Sequence, residues 1–330
     1  MSNKSNLKFI ILIIVCLSYS QLEAQSDSSG VNDTLTFCFL SDTQIPLIFE
    51  RISLGYNHNE EARKLIFDKI REIAPKAVFH LGDFMGLGFD PDSWDETVNF
   101  VKELGLHKTE FYPIPGNHEY IIFPKRGIAN FQRNFKGISL TGYSKKYNDL
   151  AVILFNSNFD NLNENERREQ AEWYKKTINN YEADSSINFI IVGTHHSPYT
   201  NSRIVLPATE SADKGYFNEY LEAFYASKKC KLFISGHTHA YEHFNVRGKD
   251  FLVIGGGGGI QQPLYIGENE RYHDLFSSSL EKRMFHFITV KTFHKNLTVE
   301  LEMVDDSFSE FTETPQLEFQ VKNPDNLERK

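Results

Sequence analysis

The sequence is poor in cysteine. Only three occur in 330 residues, which excludes a disulfide framework as the source of stability. Cys16 falls in the apolar start of the chain. Cys38 and Cys230 lie in the strand-like runs Thr36–Leu40 and Lys231–Ser235, so they read as buried thiols with no essential bridge between them. Positive charge is also short: 35 Lys and Arg stand against 44 Asp and Glu, the net charge is −9 and the pI is about 5.8. Affinity for the phosphate backbone comes from clustered Lys and Arg, so nucleic acid is excluded as the main partner. Beyond the N-terminus no run is apolar enough to span a bilayer, which takes about 20 residues. There is no internal repeat. The glycine run Gly255–Gly259 lacks the Lys-Ser/Thr pair and the helix that make a nucleotide-binding P-loop; it reads instead as a close backbone approach after the strand Phe251–Ile254.

What the chain does have is apolar and aromatic mass. Hydrophobic residues make up 40% and include 28 Phe, enough for a sizeable core. At the start, Lys4 and Lys8 precede the apolar run Phe9–Leu17, and small or polar residues lead to Ala24. That pattern is a secretory signal peptide over residues 1–24, and it implies a secreted or periplasmic protein; an uncleaved anchor is the alternative. Residues 25–33 are a polar linker. From residue 34 to about 305 apolar runs alternate between strand and helix spacing. Leu35–Leu40, Ala77–Leu81 and Phe111–Ile114 read as strands. Glu60–Ile73, Ser93–Leu104, Asn165–Tyr181 and Gly215–Ser227 read as helices. This alternation predicts a layered α/β fold in one catalytic domain. Residues 306–330 are expected to form a loose tail.

The polar residues fall at telling places. Asp42, Asp83, Asn117, His196 and His237 each follow an apolar strand-like run, and layered α/β folds bind ligands at the carboxyl ends of strands. Asp, Asn and His together are a ligand set for Mn, Mg, Zn or Fe. Asp83 can bridge two ions with its two oxygens, and two ions about 3.5–4 Å apart can clamp a phosphoryl oxygen and activate a water. Each piece alone is weak, since Gly82-Asp83 is an ordinary turn and a lone His-x-His is more often structural. The ordered set of five carries the argument.

In this order the motifs Asp42-x-Gln44, Gly82-Asp83, Gly116-Asn117-His118-Glu119, His196 and Gly236-His237-x-His239 resemble the calcineurin-like metallophosphoesterases. His196-Ser197-Pro198-Tyr199 and Gly236-His237-Thr238-His239-Ala240-Tyr241-Glu242 look like the purple acid phosphatases among them. The resemblance implies a four-layer α/β/β/α sandwich and a metal-dependent hydrolase of phosphate esters with two divalent ions (Mn, Fe, Zn or Mg). One ion would be held by Asp42, Asp83 and His239, the other by Asp83, Asn117, His196 and His237. His118 would contact phosphate and protonate the leaving oxygen, with Glu119 orienting it. The sequence departs from the pattern twice. The tyrosine ligand that colours purple acid phosphatases is replaced by Gly86, and a common histidine is replaced by Gln44, which is taken as a ligand of the first ion. The resemblance implies a ligand His, one residue, then Pro, which His196-Ser197-Pro198 fits, so His196 is preferred over His195; neighbours on a strand face opposite sides, so His195 is assigned to the core or to a supporting position. Arg203 is a candidate phosphate contact because a guanidinium matches phosphate oxygens bidentately; a solvated loop arginine is the alternative.

Three functions compete. The first is a phosphomonoesterase acting on phosphorylated small molecules. The second is a phosphodiesterase or pyrophosphatase on nucleotides or phospholipid head groups. The third is a non-catalytic, metal-stabilised binding protein, against which His118 argues, since a scaffold has no need of it.

Overall fold

The structure is a computed structural model that describes residues 34–204, 214–293, 295–312 and 318–321. The expected signal peptide and linker, residues 1–33, lie outside the described residues. Two six-stranded sheets face one another. The first runs in the order β12-β11-β10-β1-β2-β3, from Leu35–Leu40 (β1), Ala77–His80 (β2), Glu110–Pro113 (β3), His286–Phe293 (β10), Asn296–Met303 (β11) and Glu318–Val321 (β12). The second runs β4-β5-β6-β7-β9-β8, from Gly142–Tyr147 (β4), Leu150–Phe155 (β5), Phe189–Thr194 (β6), Cys230–Ser235 (β7), Tyr241–Val246 (β8) and Lys249–Ile254 (β9). In the first sheet β1, β2 and β3 are mutually parallel, and in the second β5, β6, β7 and β9 are.

The period of two along each strand builds the layers. In β1, Phe37 and Phe39 enter the core between the sheets, while Cys38 and Leu40 face the helices on the outside. In β5, Leu150, Val152 and Leu154 point inward, and Ala151, Ile153 and Phe155 point outward. Both faces are apolar because both are covered. Outside the first sheet lie Asn59–Ile73 (α2) and Asp95–Leu106 (α3), where Ala62, Ile66, Ile70, Phe100 and Leu104 pack on Cys38, Leu40 and Val78. Outside the second lie Glu164–Ala183 (α5) and Lys214–Ala226 (α6), which bring Tyr174, Ile178, Phe217, Tyr220 and Phe224 onto its outer face. Helix α5 opens with a capping box: Glu166 N donates to Asn163 Oδ1 at 3.0 Å and Asn163 N to Glu166 Oε2 at 2.8 Å. The result is the four-layer α/β/β/α sandwich.

Two short helices were not expected, Ile48–Leu54 (α1) and Pro124–Asn134 (α4). The tail also needs correction. Residues 318–321 are not loose but form β12, antiparallel to β11, because alternation places Val321 in the inter-sheet core. Cys38 and Cys230 are free and fully buried, and burial pushes both thiols up, that of Cys230 to about 12. Among the described residues no helix is long and apolar enough to cross a membrane.

Candidate metal centre

The parallel strands end on one edge of the sandwich, and the loops that follow them meet across the two sheets. His237 N donates to Asp42 Oδ2 at 2.9 Å, joining the loop after β7 to the loop after β1. His195 Nδ1 donates to Leu81 O at 2.8 Å, joining the loop after β6 to the loop after β2. Asp42, Asp83 and His237 all take positive φ, at 59°, 56° and 67°, a conformation that non-glycine residues adopt at a cost and that clusters at functional sites. Gly82, at φ 99°, leaves no room for a side chain: a Cβ would stand 2.5 Å from Gly116 N and 2.8 Å from His195 Nδ1. The glycine run is the close approach that the sequence suggested. Gly257 N donates to Ser41 O at 3.0 Å and Gly259 N to Asp42 O at 2.8 Å, and a Cβ on Gly259 would lie 2.6 Å from the His239 ring.

Two groups of donor atoms result. In one, Asp42, Asp83 and His239 offer atoms within 4.8 Å of one another, and in the other His195, His196 and His237 do; all six residues are buried. Asp83 links the groups, since its Oδ2 lies 3.3 Å from His195 Nε2. Its Oδ1 accepts from His118 N at 2.8 Å, which fixes the carboxylate with Oδ2 toward His195. Asn117 Oδ1 sits between His195 Nε2 at 2.9 Å and His237 Nδ1 at 2.8 Å. Gln44 joins the first group. With its Nε2 donating to Asp42 O at 3.2 Å and Asp83 O at 3.1 Å, its Oε1 faces His239 Nε2 at 3.0 Å.

Backbone carbonyls fix the rings. A carbonyl can only accept, so Leu81 O, Gly86 O and Ile260 O hold the proton on Nδ1 of His195, His118 and His239 at 2.8, 2.8 and 2.7 Å, which turns Nε2 of each toward the cluster. Burial works against ionising Asp83, but the charges of His195 and His118 override it and hold its carboxyl well below the usual range. Burial likewise opposes a proton on His195, yet Asp83 lifts that imidazole to about 9.

The arrangement fits divalent cations. Asp42 Oδ1 is buried and makes no hydrogen bond; it stands 3.3 Å from His239 Nε2, whose ring carries its proton on Nδ1 toward Ile260 O, so two acceptor atoms face one another, a costly state unless a cation or a second proton lies between them. The donor set mixes carboxylate, amide and imidazole, as Mn, Fe, Zn and Mg sites do.

Several expectations need amending. It is His195, not His196, that contacts Asp83 and Asn117. The opposite-face argument fails because β6 ends at Thr194, so neither histidine is bound by strand alternation. His196 Nδ1 pairs with Ser157 Oγ at 2.9 Å, and its ring lies 4.4 Å from that of His237. Glu119 does not orient the His118 ring. Its carboxylate accepts from Asp83 N at 3.0 Å, Phe84 N at 2.9 Å and Gly116 N at 2.6 Å, bracing two ligand loops, while Gly86 O holds the ring. At Gly86 a Cβ would come within 2.8 Å of Ile45 O, so the position of the missing tyrosine has no space for one. Arg203 is not drawn into the cluster: its Nη1 pairs with Glu281 at 2.6 Å, and its side chain is 42% exposed.

Sequence reasoning missed two supports. Asn156-Ser157-Asn158 follows β5 and is buried, so the same strand-end rule could have found it. Glu242, fully buried, accepts from Thr200 Oγ1 at 2.6 Å and Asn201 N at 2.7 Å; burial raises it to about 8.

The family model for calcineurin-like phosphoesterases matches residues 35–241, more than half of the chain. No curated protein matches. Among solved structures, a purple acid phosphatase from yellow lupin (Lupinus luteus) seeds is similar at TM-score 0.63 and 16% identity, over 89% of this chain and 55% of its own. GAP50, the anchor in the inner membrane complex of Plasmodium, is similar at TM-score 0.62 and 15% identity, over 88% and 90%. A dimetal phosphatase from Danio rerio follows at TM-score 0.54 and 14% identity, over 88% and 99%. The chain thus spans little more than half the length of the lupin protein. At these identities the likeness is one of fold.

Proposed function

The chain belongs to the calcineurin-like phosphoesterase family, and from that premise we propose that it is a hydrolase of phosphoric esters, a metal-dependent phosphomonoesterase with two divalent ions that share Asp83. The observation that carries this reading is the single carboxylate between two donor groups, with Asp83 grouped with Asp42 and His239 on one side and its Oδ2 3.3 Å from His195 Nε2 on the other. The first ion would be held by Asp42, Gln44, Asp83 and His239, and the second by Asp83, Asn117, His195 and His237, with His196 in the same imidazole group.

Two such ions, when bound, neutralise charge on a phosphoryl group and supply an acidified water for in-line attack. The chain's own residues do the rest. His118 keeps one proton on Nδ1 through Gly86 O, and Nε2 lies 3.9 Å from Asp83 Oδ2; a second proton on Nε2 is therefore the one this ring would hold toward a phosphoryl group and pass to the leaving oxygen, returning to the neutral Nδ1–H form. Glu119 and Glu242 hold the loops. Preference for a monoester is supported by the likeness of the two histidine motifs to those of purple acid phosphatases and by the fold shared with the lupin enzyme. Export is supported by Lys4, Lys8 and the apolar run Phe9–Leu17.

The test is metal analysis of the purified protein, then hydrolysis of para-nitrophenyl phosphate and bis-para-nitrophenyl phosphate after adding each metal to the stripped enzyme. The expected result is close to two ions per chain and faster turnover of the monoester. Faster turnover of the diester overturns the monoester reading, and one ion or none overturns the shared carboxylate.

A further inference from the structure

Helix α1 breaks the rule that an apolar helix face is covered. Its sequence is Ile-Phe-Glu-Arg-Ile-Ser-Leu, yet none of its residues is buried. Ile48, Phe49 and Ile52 are 78%, 66% and 82% exposed. The loop that leaves the metal centre after Glu119 does the same: Ile122 and Phe123 are 66% and 47% exposed. Single exposed apolar residues need no explanation, but five on two loops that flank one site do.

The two loops belong to one margin. Leu47 and Ile48 wall a cavity of about 410 Å³ together with Leu87. Leu87 also walls a second cavity of about 510 Å³ with Phe89, Arg126 and Arg133. The rings of Phe89 and Phe123 are 5.0 Å apart, edge to face. The segment that carries Leu87 and Phe89 thus lies between the apolar tips of α1 and of Ile122–Phe123.

Charge along this margin runs against the rest of the molecule. The segment Pro124–Asn134 carries Lys125, Arg126 and Arg133 and no Asp or Glu, in a chain whose net charge is −9, and Arg126 and Arg133 line the second cavity. The Arg126 guanidinium stands 5.6 Å over the Phe123 ring, cation beside apolar tip. The carboxylates along this margin are engaged: Glu50 accepts from Leu47 N at 2.6 Å, Glu60 pairs with Arg51 at 3.1 Å, Glu96 on the first cavity pairs with Arg63 at 2.6 Å, and Asp90 on the second accepts from Ser93 Oγ at 2.6 Å.

We propose that this margin docks on an anionic lipid surface. Ile48, Phe49, Ile52, Ile122 and Phe123 enter the boundary between head groups and acyl chains, and Lys125, Arg126 and Arg133 face the anionic head groups. Apolar side chains flanked by cations are the composition that interfacial segments use, and each Lys or Arg near such a surface adds to the attraction. A second copy of the chain is a poor occupant, because a two-fold contact would set this cationic belt against itself. Docking here brings the loops that carry Gln44 and His118 up to the lipid, and it does not depend on which ester the metal centre cuts.

The experiment is co-sedimentation of the full chain with vesicles of phosphatidylcholine alone and of phosphatidylcholine with phosphatidylglycerol. The parent is expected to bind the anionic vesicles more strongly. The triple variant Ile48→Asp, Phe49→Asp, Ile52→Asp is expected to reduce that binding roughly tenfold or more. The pair Lys125→Glu, Arg126→Glu is expected to abolish the preference for phosphatidylglycerol. All five positions are solvent-facing, so both variants should fold and should hydrolyse a soluble aryl phosphate within about twofold of the parent. Failure of the parent to bind anionic vesicles overturns the proposal. So does equal binding by the triple variant, which would assign binding to another segment such as Phe9–Leu17, and so does a change of oligomeric state in the triple variant by sedimentation velocity.

Discussion

The two sheets bring different chemistry to the same edge. The loops of the first contribute oxygens, from Asp42, Gln44, Asp83 and Asn117; the loops of the second contribute imidazoles, from His195, His196, His237 and His239. Each half also has one buried glutamate as its brace. Glu119 gathers the backbone of Asp83, Phe84 and Gly116, and Glu242 gathers Thr200 and Asn201 beyond the histidine pair. A hard half and a borderline half set face to face cannot make two equivalent sites. On the proposed assignment the first ion would meet mostly oxygen and the second an even mixture, so the two should differ in the metals they retain and in how easily a chelator removes them.

The most severe way to break the comparison is to remove the residue common to both halves. Asp83→Ala should lower kcat by about 10⁴-fold or more and strip both ions, as read by turnover and metal analysis of one preparation. Retention of one tightly held ion with partial activity would mean that the halves are independent and that the carboxylate is not shared.

A smaller effect separates the two adjacent histidines. His195→Ala should cost about 10²–10³-fold in kcat and release one ion, because its Nε2 lies against Asp83 and Asn117. His196→Ala should cost about tenfold with both ions kept, since Asp83 and Asn117 lie against the His195 ring and not against that of His196. The reverse order, with an ion lost only from the His196 variant, would restore the assignment that the spacing to Pro198 suggested.

That pair also shows where the sequence could be read and where it could not. Strand periodicity placed Asp42, Asp83, Asn117 and His237 at strand ends, because apolar alternation ends where the chain leaves the core. It could not choose between His195 and His196, since alternation holds only within a strand and β6 stops at Thr194. The carbonyls of Leu81, Gly86 and Ile260 that lock the imidazoles carry no side-chain signal at all. Glu119 was found, but its role was misread: a residue next to His118 in sequence braces backbone rather than the ring. Helix α1 escaped notice because it has no buried face for a period of 3.6 to reveal. β12 was missed because four residues are too few to show a pattern.

The brace of the imidazole half gives a pH test. Burial lifts Glu242 to about 8 from its ordinary 4.5. The folded protein therefore holds a proton there that the unfolded chain releases above about pH 4.5. Stability from this group is complete below the unfolded value and is lost as pH rises toward 8. Glu242→Gln, which cannot ionise, should remove that decline, and the difference in unfolding free energy between variant and parent should grow across the window to a few kcal/mol at most. Parallel stability–pH curves, measured by denaturant unfolding of the metal-free proteins, would show that Glu242 is ionised throughout.

The mildest change tests the hard half directly. Gln44 is the one ligand candidate whose neutral amide replaces a histidine common in the family, and its oxygen faces His239 Nε2 at 3.0 Å while its nitrogen is held by Asp42 O and Asp83 O. An amide oxygen favours Mn or Mg; an imidazole at the same place favours Zn. Gln44→His should therefore leave the fold and the second ion untouched and shift the first site toward zinc by about tenfold in relative affinity, with a change in kcat smaller than that. Competition between Mn and Zn, followed by metal content and by the metal that best restores turnover, reads the shift. Identical preferences in parent and variant would mean that Gln44 only lines the site, leaving Asp42, Asp83 and His239 to hold the first ion, and the contrast between the halves would then rest on Asp42 alone.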